Sequence, residues 1–176
     1  KKNNKEIIAR DLSTETNFSS FEPRSLEGLR AFAKRVQFPS HGLIVKNKIT
    51  GFDDIRKGIT DIQKLEVIYH QFKKKYGSVF VETDMRAHVN PTRMDFIRKM
   101  TFKLVNHIQS VCPVCKSPGF VVTDIIDGLP CQWCGLPTNA ILKHIYRCQS
   151  CNHFVIKENP HGKIHEDPMY CNYCNP

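Results

Sequence analysis

The segment Cys112–Cys174 contains the pairs Cys112-Pro-Val-Cys115, Cys131-Gln-Trp-Cys134, Cys148-Gln-Ser-Cys151 and Cys171-Asn-Tyr-Cys174. These pairs include all eight cysteines of the 176-residue chain. A Cys-x-x-Cys turn, or knuckle, directs two sulfurs to one place, and two knuckles complete a tetrahedral thiolate shell for zinc. The cysteines are confined to one region and no secretory signal is present. The sequence therefore predicts two structural zinc ions rather than four disulfides.

Three pairings of the four knuckles are possible. The run Phe120–Ile126 is typical of a strand and Asp127-Gly128 of a turn, so we expect one hairpin to join the first two knuckles. This order resembles the zinc ribbon of general transcription factors and favours sequential pairing in two tandem ribbons. The expected ligand sets are Cys112, Cys115, Cys131 and Cys134 for one zinc ion, and Cys148, Cys151, Cys171 and Cys174 for the other. A nested pairing, first with fourth and second with third, is the alternative.

The positive charge of the chain lies in its first 110 residues. They carry 21 basic and 12 acidic side chains, whereas the rest of the chain carries five of each, and the formal net charge is +9. Eight thiolates and two divalent ions would make the C-terminal part negative by about four charges. If nucleic acid is a partner, we therefore expect it to bind the basic N-terminal half. The aromatic residues Trp133, Tyr146 and Tyr173 have few cations beside them in the sequence.

The compartment follows from the same features. No apolar run is long enough to cross a membrane and no signal peptide is recognisable, so we expect no membrane partner. Unbridged thiolates indicate a reducing compartment, which predicts a cytoplasmic protein. The chain begins without methionine, which indicates a fragment or a trimmed chain.

The N-terminal half alternates between strand and helix patterns. Strands are predicted at Lys5–Arg10, Gly42–Val45 and Ser78–Val81, with a polar loop or a short irregular helix at Lys46–Gly58. Helices are predicted from the caps Ser25, Thr60 and Asn90, ending near Val36, Tyr76 and Gln109. The alternation predicts a small α/β unit of two or three layers with a mostly parallel sheet. The expected domains are 1–110, incomplete at its start, and 111–176.

The segment Glu82–Arg93 contains the candidate catalytic and binding residues. In an open parallel sheet, ligands bind beyond the carboxyl ends of the strands. Carboxylates at such an end can hold Mg²⁺, arginines can clamp phosphate, and a helix N-terminus favours an anion. We predict catalytic roles for Glu82, Asp84, Arg86, His88 and Arg93, and ligand-binding roles for Asn90 and Thr92. An ion-paired loop with an ordinary helix cap is the alternative.

The spacing of these residues supports convergence on one ligand. Glu82, Asp84, Arg86 and His88 alternate, so an extended strand would place them on one face. A second polar cluster, Thr14–Asn17, follows the first predicted strand and could reach the same crevice. A solvated turn explains that cluster equally well.

Several of these motifs together resemble a bacterial family known only as a domain of unknown function. The resemblance rests on Glu82-Thr-Asp-Met-Arg-Ala-His-Val-Asn-Pro-Thr-Arg-Met94, Thr14–Phe18, Phe38–Val45 and the first two knuckles with their flanks. It covers nearly the whole chain. It implies a further N-terminal α/β segment that this chain lacks, so a site built across both segments would be incomplete here. The family implies no activity.

Two functions of different classes fit the sequence. The first is a Mg²⁺-dependent phosphohydrolase or nucleotide-processing enzyme acting on a phosphate-bearing ligand. The helix start Asn90–Arg93 is reminiscent of inosine-triphosphatase-like pyrophosphatases. The alternative is a non-catalytic zinc-ribbon module that binds nucleic acid or a protein partner. Catalytic zinc is the weakest option, because eight thiolates fill two sites without leaving an open position.

Overall fold

The computed structural model describes residues 6–47 and 54–176. It contains two compact units. The first unit consists of residues 11–100, and the second unit consists of residues 101–176 together with residues 6–10. The elements in chain order are β1 (Ser20–Phe21), α1 (Leu26–Arg35), β2 (Leu43–Lys46), β3 (Ile55–Ile59), α2 (Ile62–Tyr76), β4 (Phe80–Thr83), α3 (Pro91–Gln109), β5 (Val121–Asp127), β6 (Ile141–Arg147) and β7 (Phe154–Glu158). Two 3-10 turns lie at Ala87–Val89 and Pro168–Tyr170. The domain limits 1–110 and 111–176 stay a prediction.

The sheet of residues 11–100 is antiparallel, so the prediction of a mostly parallel sheet is wrong. Its strand order is β1-β4-β2-β3, and every neighbouring pair is antiparallel. Strand β3 begins within the predicted loop Lys46–Gly58. It was not predicted because the exposed Arg56 and Lys57 interrupt the apolar pattern typical of a strand. Residues 48–53 of that loop lie outside the described residues. Only eight residues separate β2 from β3, too few for a parallel crossover, so the two strands pair antiparallel.

One strand–helix–strand unit is present, formed by β3, α2 and β4. Strands β3 and β4 run parallel to each other and are joined by α2, but β2 lies between them and pairs with both. The apolar runs at β2 and β4 are buried as predicted, because both strands are central in the sheet. Of the predicted first strand, Lys5 lies outside the described residues, and residues 6–10 form no strand.

The core of this unit lies between one face of the sheet and the helices α1 and α2. Leu43, Val45 and Val81 are fully buried on that face. Phe32 of α1 and Leu65 of α2 belong to the same buried cluster. The opposite face carries the half-buried Ile44, Lys46, Phe80 and Glu82. The unit is therefore a two-layer α/β structure.

The helix boundaries follow from local caps. The Ser25 hydroxyl accepts the N–H of Gly28 at 3.1 Å, as predicted for α1. The cap of α2 is Asp61 rather than the predicted Thr60, because the Asp61 carboxylate accepts the N–H of Lys64 at 2.7 Å. Gly77 ends α2 with a left-handed φ of 75°, a conformation that glycine adopts without a steric penalty.

The longest helix, α3, differs from its prediction in burial. It begins after Asn90, as predicted, but none of its residues is buried. The side chains expected to face inward include Met94, Ile97, Val105 and Ile108, which are 39–46% exposed. The helical spacing of apolar residues was correct, but spacing alone does not determine whether another layer covers the stripe.

The second sheet is a three-stranded antiparallel meander in the order β5-β6-β7. Val122 pairs with Tyr146, and Tyr146 pairs with Val155, so one row of side chains crosses all three strands. An irregularity lies between Val122 and Asp124 in β5. The described residues of this unit form no buried cluster like the one in the first unit. The buried apolar side chains of residues 101–176 are Leu129, Pro168 and four cysteines.

Candidate metal centres

Two groups of four cysteines form at opposite ends of the second sheet. Centre A consists of Cys112, Cys115, Cys148 and Cys151, and centre B of Cys131, Cys134, Cys171 and Cys174. Within each group every sulfur lies within 4.8 Å of the others. All eight cysteines are free of disulfides. The prediction of two four-cysteine groups able to hold metal ions is confirmed.

The sequential pairing of knuckles is wrong, and so is the nested alternative. A strand, not a hairpin, joins each knuckle to the next. The chain therefore crosses the sheet three times between the first knuckle and the fourth, reversing direction each time. The first and third knuckles meet at one end, and the second and fourth meet at the other. The expected tandem ribbons are instead one sheet with a cysteine centre at each end, and seven-residue strands separate the centres by roughly 20 Å.

The sulfur distances fit a tetrahedral metal ion. In centre A, the Sγ atoms of Cys112 and Cys151 are 3.7 Å apart, and those of Cys115 and Cys148 are 3.5 Å apart. In centre B, the corresponding distances are 3.8 and 3.7 Å. Four sulfurs placed about 2.3 Å from a zinc ion lie about 3.8 Å from one another. The residues present therefore fit a four-thiolate metal site at both ends.

Each knuckle is shaped by backbone hydrogen bonds that its sequence permits. The residue four positions after the first cysteine donates its N–H to that cysteine's carbonyl, at 2.9–3.0 Å in all four knuckles. This position has a left-handed φ in three of them, at Lys116, Gly135 and Asn152. Glycine and asparagine tolerate that conformation well. Sequence reasoning missed these residues, although the recurrence of Gly or Asn after a knuckle is a usable signal.

Backbone N–H groups also face the sulfurs. The N–H of Ser150 lies 3.3 Å from Cys148 Sγ, and the N–H of Trp133 lies 3.4 Å from Cys131 Sγ. Hydrogen bonds from the N–H groups of Cys151 and Ser150 lower the pKa of Cys148 to about 6. Such bonds favour the thiolate, which is the form that binds metal.

The four thiols of a centre cannot all lose their protons without a compensating cation. In centre B, hydrogen bonds from the N–H groups of Tyr173 and Cys174 lower the pKa of Cys171 to about 7. The hydrogen bond to Cys134, together with burial, raises the pKa of Cys174 to about 12. A divalent ion would remove this conflict, so metal binding should release protons.

Glu166 positions the fourth knuckle and was missed in the sequence. Its N–H donates to the Pro130 carbonyl at 2.9 Å, and its own carbonyl accepts the N–H of Gln132 at 3.0 Å. These bonds place the segment before Cys171 alongside the second knuckle. The buried Glu166 carboxylate also accepts the N–H of Asp167, and this bond, with the Lys163 ammonium, holds its pKa below the ordinary value. No sequence motif signals this role.

The predicted crevice residues occupy different surroundings. Strand β4 ends at Thr83, so Glu82, Asp84, Arg86 and His88 do not share one face of an extended strand. Glu82 pairs with Lys46 at 2.7 Å on the face of the sheet away from the helices. The side chains of His88 and Arg93 are exposed. The two cysteine centres are the metal-binding groups found among residues 6–47 and 54–176, and the predicted Mg²⁺ has no support there.

Asp84 is the centre of a hydrogen-bonded network. Its carboxylate is fully buried and accepts the N–H groups of Gly58 and Arg86 at 2.9 and 3.0 Å. The Arg86 guanidinium donates to it at 2.6 Å. Burial alone would raise the pKa of Asp84, but these bonds outweigh burial and hold the pKa below its ordinary value. The arrangement links β3 to the end of β4.

The N-terminus of α3 is also occupied by protein atoms. The buried Asn90 accepts the N–H of Arg93 at 3.0 Å and donates to Asn17 Oδ1 at 2.9 Å. The Thr92 hydroxyl and N–H lie 2.9 and 3.4 Å from Nε2 of the buried His41. The predicted cluster at Thr14–Asn17 thus reaches this segment through Asn17. These pairings favour a structural network, and a catalytic role for residues 82–93 stays a prediction.

Replacing Asp84 by alanine should lower the free energy of unfolding of residues 11–100 by about 1–3 kcal/mol, because the Gly58 N–H loses its acceptor. The exposed Asp95 provides the control, since Asp95→Ala removes a carboxylate from α3 without leaving a buried group unpaired. Chemical denaturation measures both. If Asp84→Ala keeps its stability but abolishes binding of a phosphate-bearing ligand, the network interpretation is contradicted.

The same carboxylate predicts a pH dependence. Because the folded-state pKa of Asp84 is lowered, its contribution to stability is complete above the unfolded pKa of about 3.9. It is lost as the pH falls through the folded value. We therefore expect the parent to have a higher free energy of unfolding than Asp84→Asn at pH 6. Chemical denaturation at successively lower pH should show the two free energies converging only in strong acid.

The whole chain matches one known protein family. A family model described as "Domain of unknown function (DUF6671)" matches residues 1–176. The chain belongs to this family. None of the curated proteins and none of the solved structures matches it. The further N-terminal segment expected for the family stays a prediction. Among the described residues, no helix combines the length and apolar character needed to cross a membrane.

Proposed function

We propose that this family member is a zinc protein in which both ions are structural. The ions stabilise the three-stranded sheet, and the sheet serves as a non-catalytic binding module. The observation that carries the proposal is the pair of cysteine centres, with sulfur separations of 3.5–3.8 Å. Four thiolates complete the coordination of each ion and leave no position for substrate water.

The packing of the second unit supports a structural role for the ions. Among the described residues, the buried apolar cluster lies between residues 29 and 81 and therefore in the first unit. In residues 101–176, four of the six buried apolar side chains are cysteines of the two centres. A small sheet without its own core requires another source of stability, and metal coordination supplies it.

Elemental analysis of the purified chain should find about two zinc ions per molecule. Titration of metal-free protein with Co²⁺ should saturate at the same ratio and give the absorption spectrum of tetrahedral thiolate coordination. The exposed His165, which belongs to neither centre, provides the control, since His165→Ala should keep both ions. Iron as the bound metal, or loss of an ion in His165→Ala, would contradict the assignment.

A further inference from the structure

The second unit contains an open cleft beside its sheet. Its volume is about 850 Å³, and it is lined by the end of α3, the segment around Ile8–Arg10 and one side of β5 and β6. All of these residues belong to the same compact unit. Sites for small ligands have volumes of about 300–1,000 Å³. The size is therefore suitable for a ligand, and the composition indicates which kind.

Aromatic rings form the wall of the cleft on the sheet side. Phe120, His144 and Tyr146 line it, and each is half-buried, so part of each ring remains accessible. The Phe120 and Tyr146 ring centroids are 6.0 Å apart, and those of His144 and Tyr146 are 6.4 Å apart. Rings on a sheet surface at such spacing are a common platform for unpaired bases.

Phe120 is held firmly in this platform. The Ser110 hydroxyl donates to the Phe120 carbonyl at 2.5 Å, and the Phe120 N–H donates to the Ser110 carbonyl at 2.9 Å. Gly119 has a φ of +85°, and a Cβ at this position would lie 3.2 Å from Ile7. The backbone that carries the ring is therefore fixed, which lowers the entropic cost of binding a ligand.

Basic side chains also line the cleft. They are the cations Arg10 and Lys103, with His107 beside them, and none of the described lining residues is acidic. The Lys103 ammonium donates to the Arg10 carbonyl at 2.8 Å, and His107 Nδ1 donates to the Ile8 carbonyl at 3.0 Å. These bonds hold the N-terminal segment against α3. The fold thus brings cations of the basic N-terminal part into the same cleft as Tyr146, one of the aromatic residues that have few cations near them in the sequence.

We infer that this cleft binds single-stranded nucleic acid, with a base stacked on Phe120 and Tyr146 and the phosphate backbone directed towards Arg10 and Lys103. An acidic peptide would use the cations but not the rings, and duplex bases are not accessible for stacking. The inference rests on the proposed function, because the sheet that carries the rings depends on both metal centres.

The test uses the zinc-loaded full chain and a fluorescent single-stranded oligonucleotide of about twelve nucleotides. Fluorescence anisotropy should show that Tyr146→Leu weakens binding roughly tenfold, because leucine preserves packing but cannot stack on a base. Tyr146→Phe should restore binding. Phe154 is the matched control, since it lies on the opposite face of the sheet beside Arg147, and Phe154→Leu should leave binding unchanged.

Variants that remove a positive charge distinguish phosphate contacts from structural effects. Arg10→Gln should reduce the slope of log Kd against log salt concentration by about 0.7, the value for one phosphate contact on a single strand. Arg147→Gln, on the opposite face, should leave that slope unchanged. A slope that is equal in both variants and the parent would overturn the assignment of Arg10.

Two further outcomes would overturn the inference as a whole. The first is a parent protein that holds two zinc ions but does not bind the oligonucleotide, a result that leaves the zinc assignment intact. The second is a mononucleotide that binds as tightly as the oligonucleotide, which would make the ligand a free nucleotide. Zinc analysis of every variant detects failure of the proposed function independently, since that failure lowers the metal content of the parent itself.

Discussion

Zinc content should fall to about one ion per chain when serine replaces all four cysteines of the first and third knuckles. It should fall to nearly zero when serine replaces the four cysteines of the first and second knuckles. The reason is that the meander assigns the first and third knuckles to centre A and the second and fourth to centre B. The first variant removes one complete centre, whereas the second removes half of each.

The two variants form a matched pair, because each loses four thiols. Sequential pairing of the knuckles would reverse the two zinc contents, and nested pairing would abolish both ions in both variants. Elemental analysis after gel filtration distinguishes these outcomes. Trp133→Ala, a change within a knuckle at a side chain that is 78% exposed, should keep both ions and serves as the control.

Removal of zinc with a strong chelator should unfold the three-stranded sheet and leave the sheet of residues 11–100 folded. The free energy at stake is on the order of 10 kcal/mol per ion, more than the whole stability of many small domains. The first unit contains no cysteine and has its own buried cluster of Leu, Ile, Val, Phe and Tyr side chains. We therefore expect two separate responses within one chain.

Hydrogen exchange followed by mass spectrometry measures this prediction. After chelation, amides of β6 should exchange rapidly, while amides of β2 and β4 should remain protected. Phe72→Ala is the converse variant, because Phe72 is only 3% exposed in the core of the first unit. It should cost about 3–5 kcal/mol there and leave the zinc content unchanged. Continued protection of β6 without metal would show that the centres do not stabilise the sheet.

The sequence predicted those features that depend on neighbours within a few residues. A Cys-x-x-Cys turn is local, so four turns indicated eight ligands and two metal centres. Helix caps are equally local, and Ser25 and Asn90 both form the predicted hydrogen bonds. The apolar runs at β2 and β4 indicated buried strands correctly, because burial on a central strand requires apolar side chains in sheets of either direction.

Other features depended on how many times the chain reverses direction. The short strand β3 has no alternating apolar pattern because it contains Arg56 and Lys57. When β3 is not recognised, the sequence pattern of the unit resembles that of a parallel α/β sheet. In the second unit, the predicted strand at Phe120–Ile126 is present as β5, but it alone joins the first two knuckles, whereas a hairpin was predicted between them, and this difference changes which knuckles meet. The number of strands between consecutive knuckles determines which knuckles meet, and the fold shows one strand between each consecutive pair.

The candidate site at residues 82–93 shows a second limit. Polar residues in sequence can bind a ligand or each other, and only the fold shows that Asp84 and Asn90 already have protein partners. The cleft beside Tyr146 shows the reverse, since Arg10 lies more than a hundred residues before the rings of Phe120 and Tyr146 in the chain. Ligand number, helix ends and buried runs follow from short-range chemistry, which the sequence determines by itself. Strand direction, knuckle pairing and the composition of each cleft depend on long-range packing, and only the tertiary structure decided them.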